Sequence, residues 1–438
     1  MKFRTVHLSP PQFLIIVYLI LAVAGTFLLK LPIATTKTIS WLDTLFTVTS
    51  AFTLTGLGVT DTGTTFTLFG ELIILLLIQI GGLGYMSFTV LVFIMLGKKI
   101  GFRERILLQT ALNMTNVGGI IRLAINIFVI TFLIETIGAF ILAISWVPEF
   151  GFAKGIYYGF FHSISAFNNA GFSLFPNNLM NYVGDPIVNL AITSLIILGG
   201  IGFSVIVDVY RKRKFSKLAL HSKIMIVGTI GFTIFGTLFI FFLEKGQTYF
   251  AHLSLQEQFF ASFFQAVTHR TAGFNTIDLS QLQDGSILMM MIYMFIGGGS
   301  GSTAGGIKLS TFIIILLSVI NYCKGKNTIS VFRRAIRPEL VIKSLAITMV
   351  GLSVVFLATL ILSITEDATL TVITYEVISA FATVGVTLNF TSELSEIGRF
   401  IIIILMFLGK VGALALILSL SKPDKTKIKY PAEDVLSG

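Results

Sequence analysis

The sequence predicts an all-α polytopic membrane protein: four pseudo-symmetric helix–pore-loop–helix repeats, eight transmembrane helices in all, around a central ion pore. Three observations predict it. The chain of 438 residues is 55% hydrophobic and only 12% charged, a balance that a soluble domain would not tolerate. Long apolar stretches come in pairs, with a shorter apolar segment inside each pair. A glycine also returns at near-equal intervals: Gly56 in Leu54-Thr55-Gly56, Gly171 in Asn169-Ala170-Gly171, Gly273 in Thr271-Ala272-Gly273 and Gly385 in Thr383-Val384-Gly385.

A crossing helix needs roughly 20 apolar residues. Stretches near 12–31, 66–96, 121–147, 186–207, 224–243, 286–320, 340–364 and 399–420 reach that length. The segments near 41–53, 154–167, 256–268 and 371–382 are too short to cross, so re-entrant helices are expected there. The chain then divides into repeat 1 (1–96), a loop (97–119), repeat 2 (120–214), repeat 3 (215–322), a second loop (323–338), repeat 4 (339–421) and a tail (422–438). Lys2, Arg4 and Ala22-Val23-Ala24 imitate a signal peptide, but the apolar run continues to Leu31-Pro32, and cleavage would remove the first helix of repeat 1.

Charge sets the orientation. Of 31 Lys and Arg residues, most fall at the N-terminus, in 98–122, 211–223 and 324–343, and in the tail after Lys422. These are alternate ends of the expected spans. Asp43, Asp61, Asp185, Asp278, Asp284, Glu366, Asp367 and Glu393 mark the opposite ends. The positive-inside rule makes both termini and the basic loops cytoplasmic. The net charge of +10 is therefore topology and attraction to membrane lipid, not a nucleic-acid signal. One cysteine, Cys323, excludes an internal disulfide and a thiolate metal cluster. The hydrophilic pieces are short, so any nucleotide-binding regulatory domain is expected on a separate polypeptide.

Each of the four glycines follows a short helix that must return as extended chain. Backbone at membrane depth is tolerated where it lines a water-filled path or is buried in protein. Four such returns facing one another would present rings of carbonyl oxygens in place of a cation's hydration shell. Glycine suits the site because it reaches positive φ without steric cost. Three of the glycines are preceded by the same word: Ser50-Ala51-Phe52, Ser165-Ala166-Phe167 and Ser379-Ala380-Phe381. No carboxylate lies within two residues of any of them, which fits a monovalent rather than a divalent ion. The alternative is that these glycines only pack helices, and it leaves their fourfold recurrence unexplained.

A second mark follows each loop: Gly81-Gly82-Leu83-Gly84, Gly199-Gly200-Ile201-Gly202, Gly298-Gly299-Ser300-Gly301 and Gly409-Lys410-Val411-Gly412. In the third repeat it widens into Gly297, Gly298, Gly299, Ser300, Gly301, Ser302, Thr303, Ala304, Gly305 and Gly306. Each interior glycine costs a helix about 1 kcal/mol, so this stretch is expected to be unwound in mid-membrane. There it could obstruct a path below the loops, or form only a flexible kink. Gly299 to Ala304 matches a dinucleotide fingerprint but follows a membrane helix rather than a strand. Gly301 to Gly306 has Walker spacing, but Ile307 stands where the lysine must be. Lys410 replaces the glycine that the other repeats carry at this depth, where a lysine is costly. It either faces the axis or snorkels to the interface. Glu135 is expected to pair with a neighbouring helix or to serve a proton path, Asp208 to cap or pair locally, and Arg270 to brace the third loop at the outer mouth or to repel sodium there. His162 and His269 lack metal-site spacing.

Asn168-Asn169-Ala170-Gly171-Phe172, His269-Arg270-Thr271-Ala272-Gly273-Phe274-Asn275 and the glycine-rich run resemble the Trk/Ktr/HKT superfamily of potassium transporters, the Ktr membrane subunits in particular. The resemblance covers about Leu14 to Ser421. It implies a multi-pass protein of the cell membrane with potassium as substrate, held at the four glycine triads as a selectivity filter. It also implies that 297–306 is an intramembrane gate with Lys410 as its electrostatic part, that the chain forms a homodimer, and that a cytosolic nucleotide-binding ring of the KtrA type regulates it. Gly56 matches the potassium-selective pattern; some plant relatives carry serine there and prefer sodium. Sodium is a candidate activator, and no organic cofactor is expected. The rivals are a sodium-preferring or sodium-coupled transporter of the same fold, an intramembrane enzyme, which lacks metal spacing or paired aspartates, and a structural scaffold.

Overall fold

The structure, a computed structural model, describes residues 10–84, 120–326, 328–412 and 433. The expected loop 97–119, the tail beyond Lys422 (residue 433 apart), and the far ends of stretches 66–96 and 399–420 lie outside the described residues.

The described residues are mostly helical. Helix α1 runs Pro10–Leu29, α2 Trp41–Thr53 and α3 Leu68–Leu83. Then come α4 Ile120–Phe150, α5 Phe152–Phe167, α6 Pro186–Gly200 and α7 Phe203–Lys212. These are followed by α8 Leu220–Glu244, α9 Leu255–Thr268, α10 Asp284–Phe295 and α11 Leu309–Cys323. The last three are α12 Pro338–Thr365, α13 Leu370–Phe381 and α14 Glu396–Val411.

Their starts follow from local chemistry. Ser40 accepts from the Asp43 N–H at the head of α2, and Asp185 accepts from the Ile187 and Val188 N–H groups ahead of α6, with Pro186 already set for the first turn. Ser254 and Glu257 form a reciprocal capping box on α9. Helices α4, α8 and α12 are long and apolar enough to cross a membrane. Their outer faces carry exposed Phe140, Phe242 and Phe356, which lipid, not water, would solvate.

One expectation needs correction. The stretch 186–207 is not one helix: α6 and α7 meet at Ile201-Gly202 with a bend of 94°. Gly202 has φ +108, which a continuing helix cannot contain. Two other helices end at the last glycine of the second mark. Helix α3 ends before Gly84 at φ +71, and α14 ends before Gly412 at φ +88. The sequence suggested unwinding only where glycines are densest.

The basic segment 323–338 holds a small hairpin, Ser330–Val331 paired with Arg334–Ala335. Its turn needs positive φ at Phe332 and Arg333 (+50 and +60), the mirror-image geometry that matches strand twist. Neither residue is a usual turn former, so the pattern gave no sign of it. Three large apolar clusters form the core, one around α1–α3, one around α4–α6 and one joining α10, α13 and α14. The chain closes on itself where α14 packs on α2 and Arg399 Nη1 meets Asp43 Oδ1 at 2.7 Å.

Candidate functional site

The four glycine triads share one backbone geometry. In each, the first residue and the glycine have positive φ: Leu54 and Gly56 (+63, +89), Asn169 and Gly171 (+56, +71), Thr271 and Gly273 (+89, +80), Thr383 and Gly385 (+52, +88). Left-handed φ at a threonine or leucine is uncommon, and its occurrence at four matched positions points to a conformation held by its surroundings. The holding groups are the ends of the short helices. Leu54 N–H donates to Ala51 O, Thr55 N–H to Ser50 O at 2.8 Å, and Gly56 N–H to Ser50 Oγ at 3.0 Å. The fourth triad repeats this with Thr383 to Ala380 O, Val384 to Ser379 O and Gly385 to Ser379 Oγ. Asn169 and Ala170 bond to Ala166 O and Ser165 O in the second.

This bonding explains the recurring Ser-Ala-Phe word. The serine supplies two acceptors to its own loop, or, at Ser165, donates its hydroxyl to Phe172 O at 2.8 Å. The third segment lacks the word, and Thr268 Oγ1 performs the task by donating to Phe274 O at 2.6 Å. The phenylalanine carbonyl meets the second mark. A Cβ on Gly81, Gly199 or Gly409 would stand 2.1, 1.7 or 1.9 Å from Phe52 O, Phe167 O or Phe381 O. These glycines let the longer helix lie directly on the end of the short one.

A trans peptide sets each carbonyl opposite the next residue's N–H. Since the N–H groups of Thr55, Gly56, Ala170, Ala272, Val384 and Gly385 point back at the short helices, the carbonyls that precede them, those of Leu54, Thr55, Asn169, Thr271, Thr383 and Val384, point away from them. Among the described residues, no hydrogen bond is donated to any carbonyl of Leu54, Thr55, Gly56, Asn169, Ala170, Gly171, Thr271, Ala272, Gly273, Thr383, Val384 or Gly385. Buried carbonyls are ordinarily paired, and twelve without a donor at one place form a surface rich in free acceptors.

The four loops converge on a closed ring. A Cβ on Gly56 would lie 2.6 Å from Ala170 O, one on Gly171 2.8 Å from Ala272 O, one on Gly273 2.8 Å from Val384 O, and one on Gly385 1.8 Å from Thr55 O. Each glycine thus faces the carbonyl that precedes the next glycine, in chain order, and the fourth returns to the first. Glycine is required twice here, by φ and by the neighbouring backbone. Such a ring can take a desolvated cation.

Beneath the ring, 297–306 is not helical. Ile296 and Ile307 pair across its base, where Gly297 N–H donates to Ile307 O at 2.9 Å. The excursion is stitched to the broken end of α6: Gly299 N–H donates to Gly200 O at 2.7 Å, and Phe203 N–H donates to Gly301 O at 3.0 Å. The break between α6 and α7 frees the Gly200 carbonyl and the Phe203 N–H for these bonds. Lys410 Nζ donates to Thr303 O at 3.1 Å, which brings the two elements of the expected gate together. Ser302 Oγ donates to Gly299 O, Ser300 Oγ meets Ser310 Oγ, and Ala304, Gly305 and Thr303 are buried. Sequence reasoning missed Lys308, whose Nζ donates to Ala304 O and Gly305 O. It is a lone lysine two residues past the glycine run and away from every basic cluster, so no pattern marked it.

The remaining candidates fall into place around the loops. Glu135 accepts from Asn168 Nδ2 at 2.8 Å and Gln79 Nε2 at 3.1 Å, a structural pairing across three elements. Asp208 pairs with Lys212 at 2.7 Å and accepts from Ser222 Oγ. His269 meets Tyr375 OH at 2.8 Å. Arg270 differs from its expectation. It is 5% exposed and its Nη2 reaches Thr229 Oγ1 at 3.3 Å, within α8 rather than at an open mouth, because Arg270 follows the helix end and leans behind the loop. Among the described residues no His/Cys/Asp/Glu group could hold a metal.

The chain has counterparts among known proteins. The TrkH family, described as cation transport protein, matches residues 6–429. The chain is 49% identical over 436 residues to Ktr system potassium uptake protein B of Bacillus subtilis (strain 168), covering 99% of this chain and 98% of that one. It is 37% identical to the potassium/sodium uptake protein NtpJ of Enterococcus hirae, over 99% of this chain and 98% of that one. The crystal structure of the potassium transporter TrkH from Vibrio parahaemolyticus has the same fold, with a TM-score of 0.75 at 20% identity over 96% of this chain and 87% of that chain. With the family model matched over residues 6–429 and a relative 49% identical along nearly the whole of both chains, the chain belongs to the Trk/Ktr family of cation transport proteins.

Proposed function

We propose that the protein takes up potassium across the cell membrane through the ring formed by the triads at Gly56, Gly171, Gly273 and Gly385. The observation that carries this reading is the set of twelve carbonyls to which no donor among the described residues bonds. A cation that sheds its water there recovers oxygen ligands without meeting a charged side chain. The absence of a carboxylate at the triads favours a monovalent ion. The glycine-rich run 297–306 acts as the gate below the ring, and Lys410, bonded to Thr303 O, adds a positive charge to that barrier. The chain is read as four repeats with eight crossings and as one half of a homodimer, with both termini cytoplasmic. The basic segments 98–122, 211–223 and 324–343 receive a cytosolic nucleotide-binding ring of the KtrA type. No step of this activity is enzymatic.

Potassium flux into liposomes containing the purified chain tests the reading. Potassium-selective uptake supports it; equal sodium and potassium flux refutes it. The name of the Enterococcus relative favours a second reading, coupling to sodium or preference for it. Varying sodium on each side separates the two. Potassium flux that follows an imposed sodium gradient supports coupling, and flux indifferent to sodium excludes it.

A further inference from the structure

Glu376 lies on α13, nine residues before Gly385, and is fully buried. Both its oxygens are used: Oε2 accepts from Thr387 Oγ1 at 2.7 Å and Oε1 accepts from Thr391 Oγ1 at 2.5 Å. The two threonines belong to the limb that runs on from Gly385. Thr387 Oγ1 also accepts from the Phe390 N–H at 3.1 Å. The carboxylate therefore ties this limb to the short helix of the same segment.

The same position in the second segment is His162, nine residues before Gly171 and fully buried. Its Nδ1 lies 2.8 Å from Tyr158 O, a group that only accepts, so Nδ1 carries the proton and Nε2 is the acceptor. Nε2 stands 3.1 Å from Ser173 Oγ and 3.3 Å from the Leu174 nitrogen. Ser173 and Thr387 each lie two residues past their glycine. A histidine and a glutamate, chemically unlike, thus perform one task at matched places. The other two segments carry Thr47, which donates to Asp43 O within its own helix, and Phe264, which is apolar. In the ring order the second and fourth loops are not neighbours, so the two braces stand on one diagonal.

We infer that Glu376 and His162 are positioning residues for ion selection, pinning the limbs past Gly171 and Gly385 and thereby holding the carbonyl ring open to the width of the larger ion. The inference rests on the reading of the ring as a selectivity filter. A carbonyl ring discriminates against the smaller ion only while its oxygens are kept from closing on it, and an unpinned limb lets them close. Neither side chain needs to touch the ion.

The test is competitive potassium and sodium uptake in proteoliposomes. Thr387→Val combined with Thr391→Val keeps shape and removes both donors. It is expected to lower potassium/sodium discrimination about tenfold, the order of a lost charge-assisted hydrogen bond, with maximal potassium flux near the wild-type level. Thr387→Ser keeps the hydroxyl and is expected to keep discrimination. Adding Glu376→Gln to the valine pair is expected to cost nothing further. Wild-type discrimination in the valine pair overturns the inference, as does an independent, additive loss from Glu376→Gln. If Glu376→Gln fails to insert, the valine and serine variants still decide. A wild-type protein without discrimination refutes the filter reading instead, so the two failures are distinct.

Discussion

Replacing Gly56 by serine adds one Cβ to the ring, and the structure fixes what that atom meets. At φ +89 it would lie 2.6 Å from Ala170 O and 3.1 Å from Gly171 Cα, where ordinary contact begins at 3.4 Å. Both neighbours are backbone of the next loop, so no side chain can swing aside. A residue with Cβ in this conformation also carries strain of about 1–3 kcal/mol. The relief available is to move the first loop off the second, which re-aims the Thr55 and Ala170 carbonyls. A difference of about 1.4 kcal/mol between two ions is tenfold in their relative binding. Gly56→Ser should therefore lower potassium/sodium discrimination by about tenfold or more while the protein still inserts. The assay is potassium uptake into proteoliposomes against a rising sodium concentration. Wild-type discrimination in a folded Gly56→Ser protein would show that Gly56 does not face the permeating ion.

Lys410→Ala and a deletion of several residues within 297–306 should each raise potassium flux. Their combination should fall short of additive, because Lys410 bonds to Thr303 O of that same run; full additivity in flux assays would separate the two barriers. Ser379→Ala removes the hydroxyl that accepts from the Gly385 N–H at 3.1 Å. It should cost about 1 kcal/mol of stability and lower discrimination; a variant unchanged in thermal melting and selectivity contradicts the bracing described for the Ser-Ala-Phe word. Asp43→Asn breaks the half-buried link to Arg399 and should cost about 1 kcal/mol, read as a lower melting temperature that high salt erases.

The positions of the helices were legible because apolar length and capping chemistry act locally. Ser40, Asp185 and the Ser254/Glu257 pair announce their helices within four residues. The triads were legible because the same local demand, positive φ at the glycine, recurs four times. Their partners were not. That Gly385 faces Thr55 O, hundreds of residues away in the chain, depends on closure of the ring. Glu376, Lys308 and the broken α6 were missed for a related reason. A single glutamate or lysine in an apolar run gives no period, and the Gly199-Gly200-Ile201-Gly202 mark reads as helix packing until its freed carbonyls are seen to accept from 297–306. Arg270 was drawn to the outer mouth by proximity in sequence, yet the end of α9 turns it towards Thr229. The amino-acid order alone located the helical segments and the left-handed backbone of the four loop glycines, since these follow from bonds made within a few residues. Which carbonyl each glycine faces, which lysines hold the glycine-rich run and which limbs are braced came from long-range packing, since those contacts exist only when four separate loops meet.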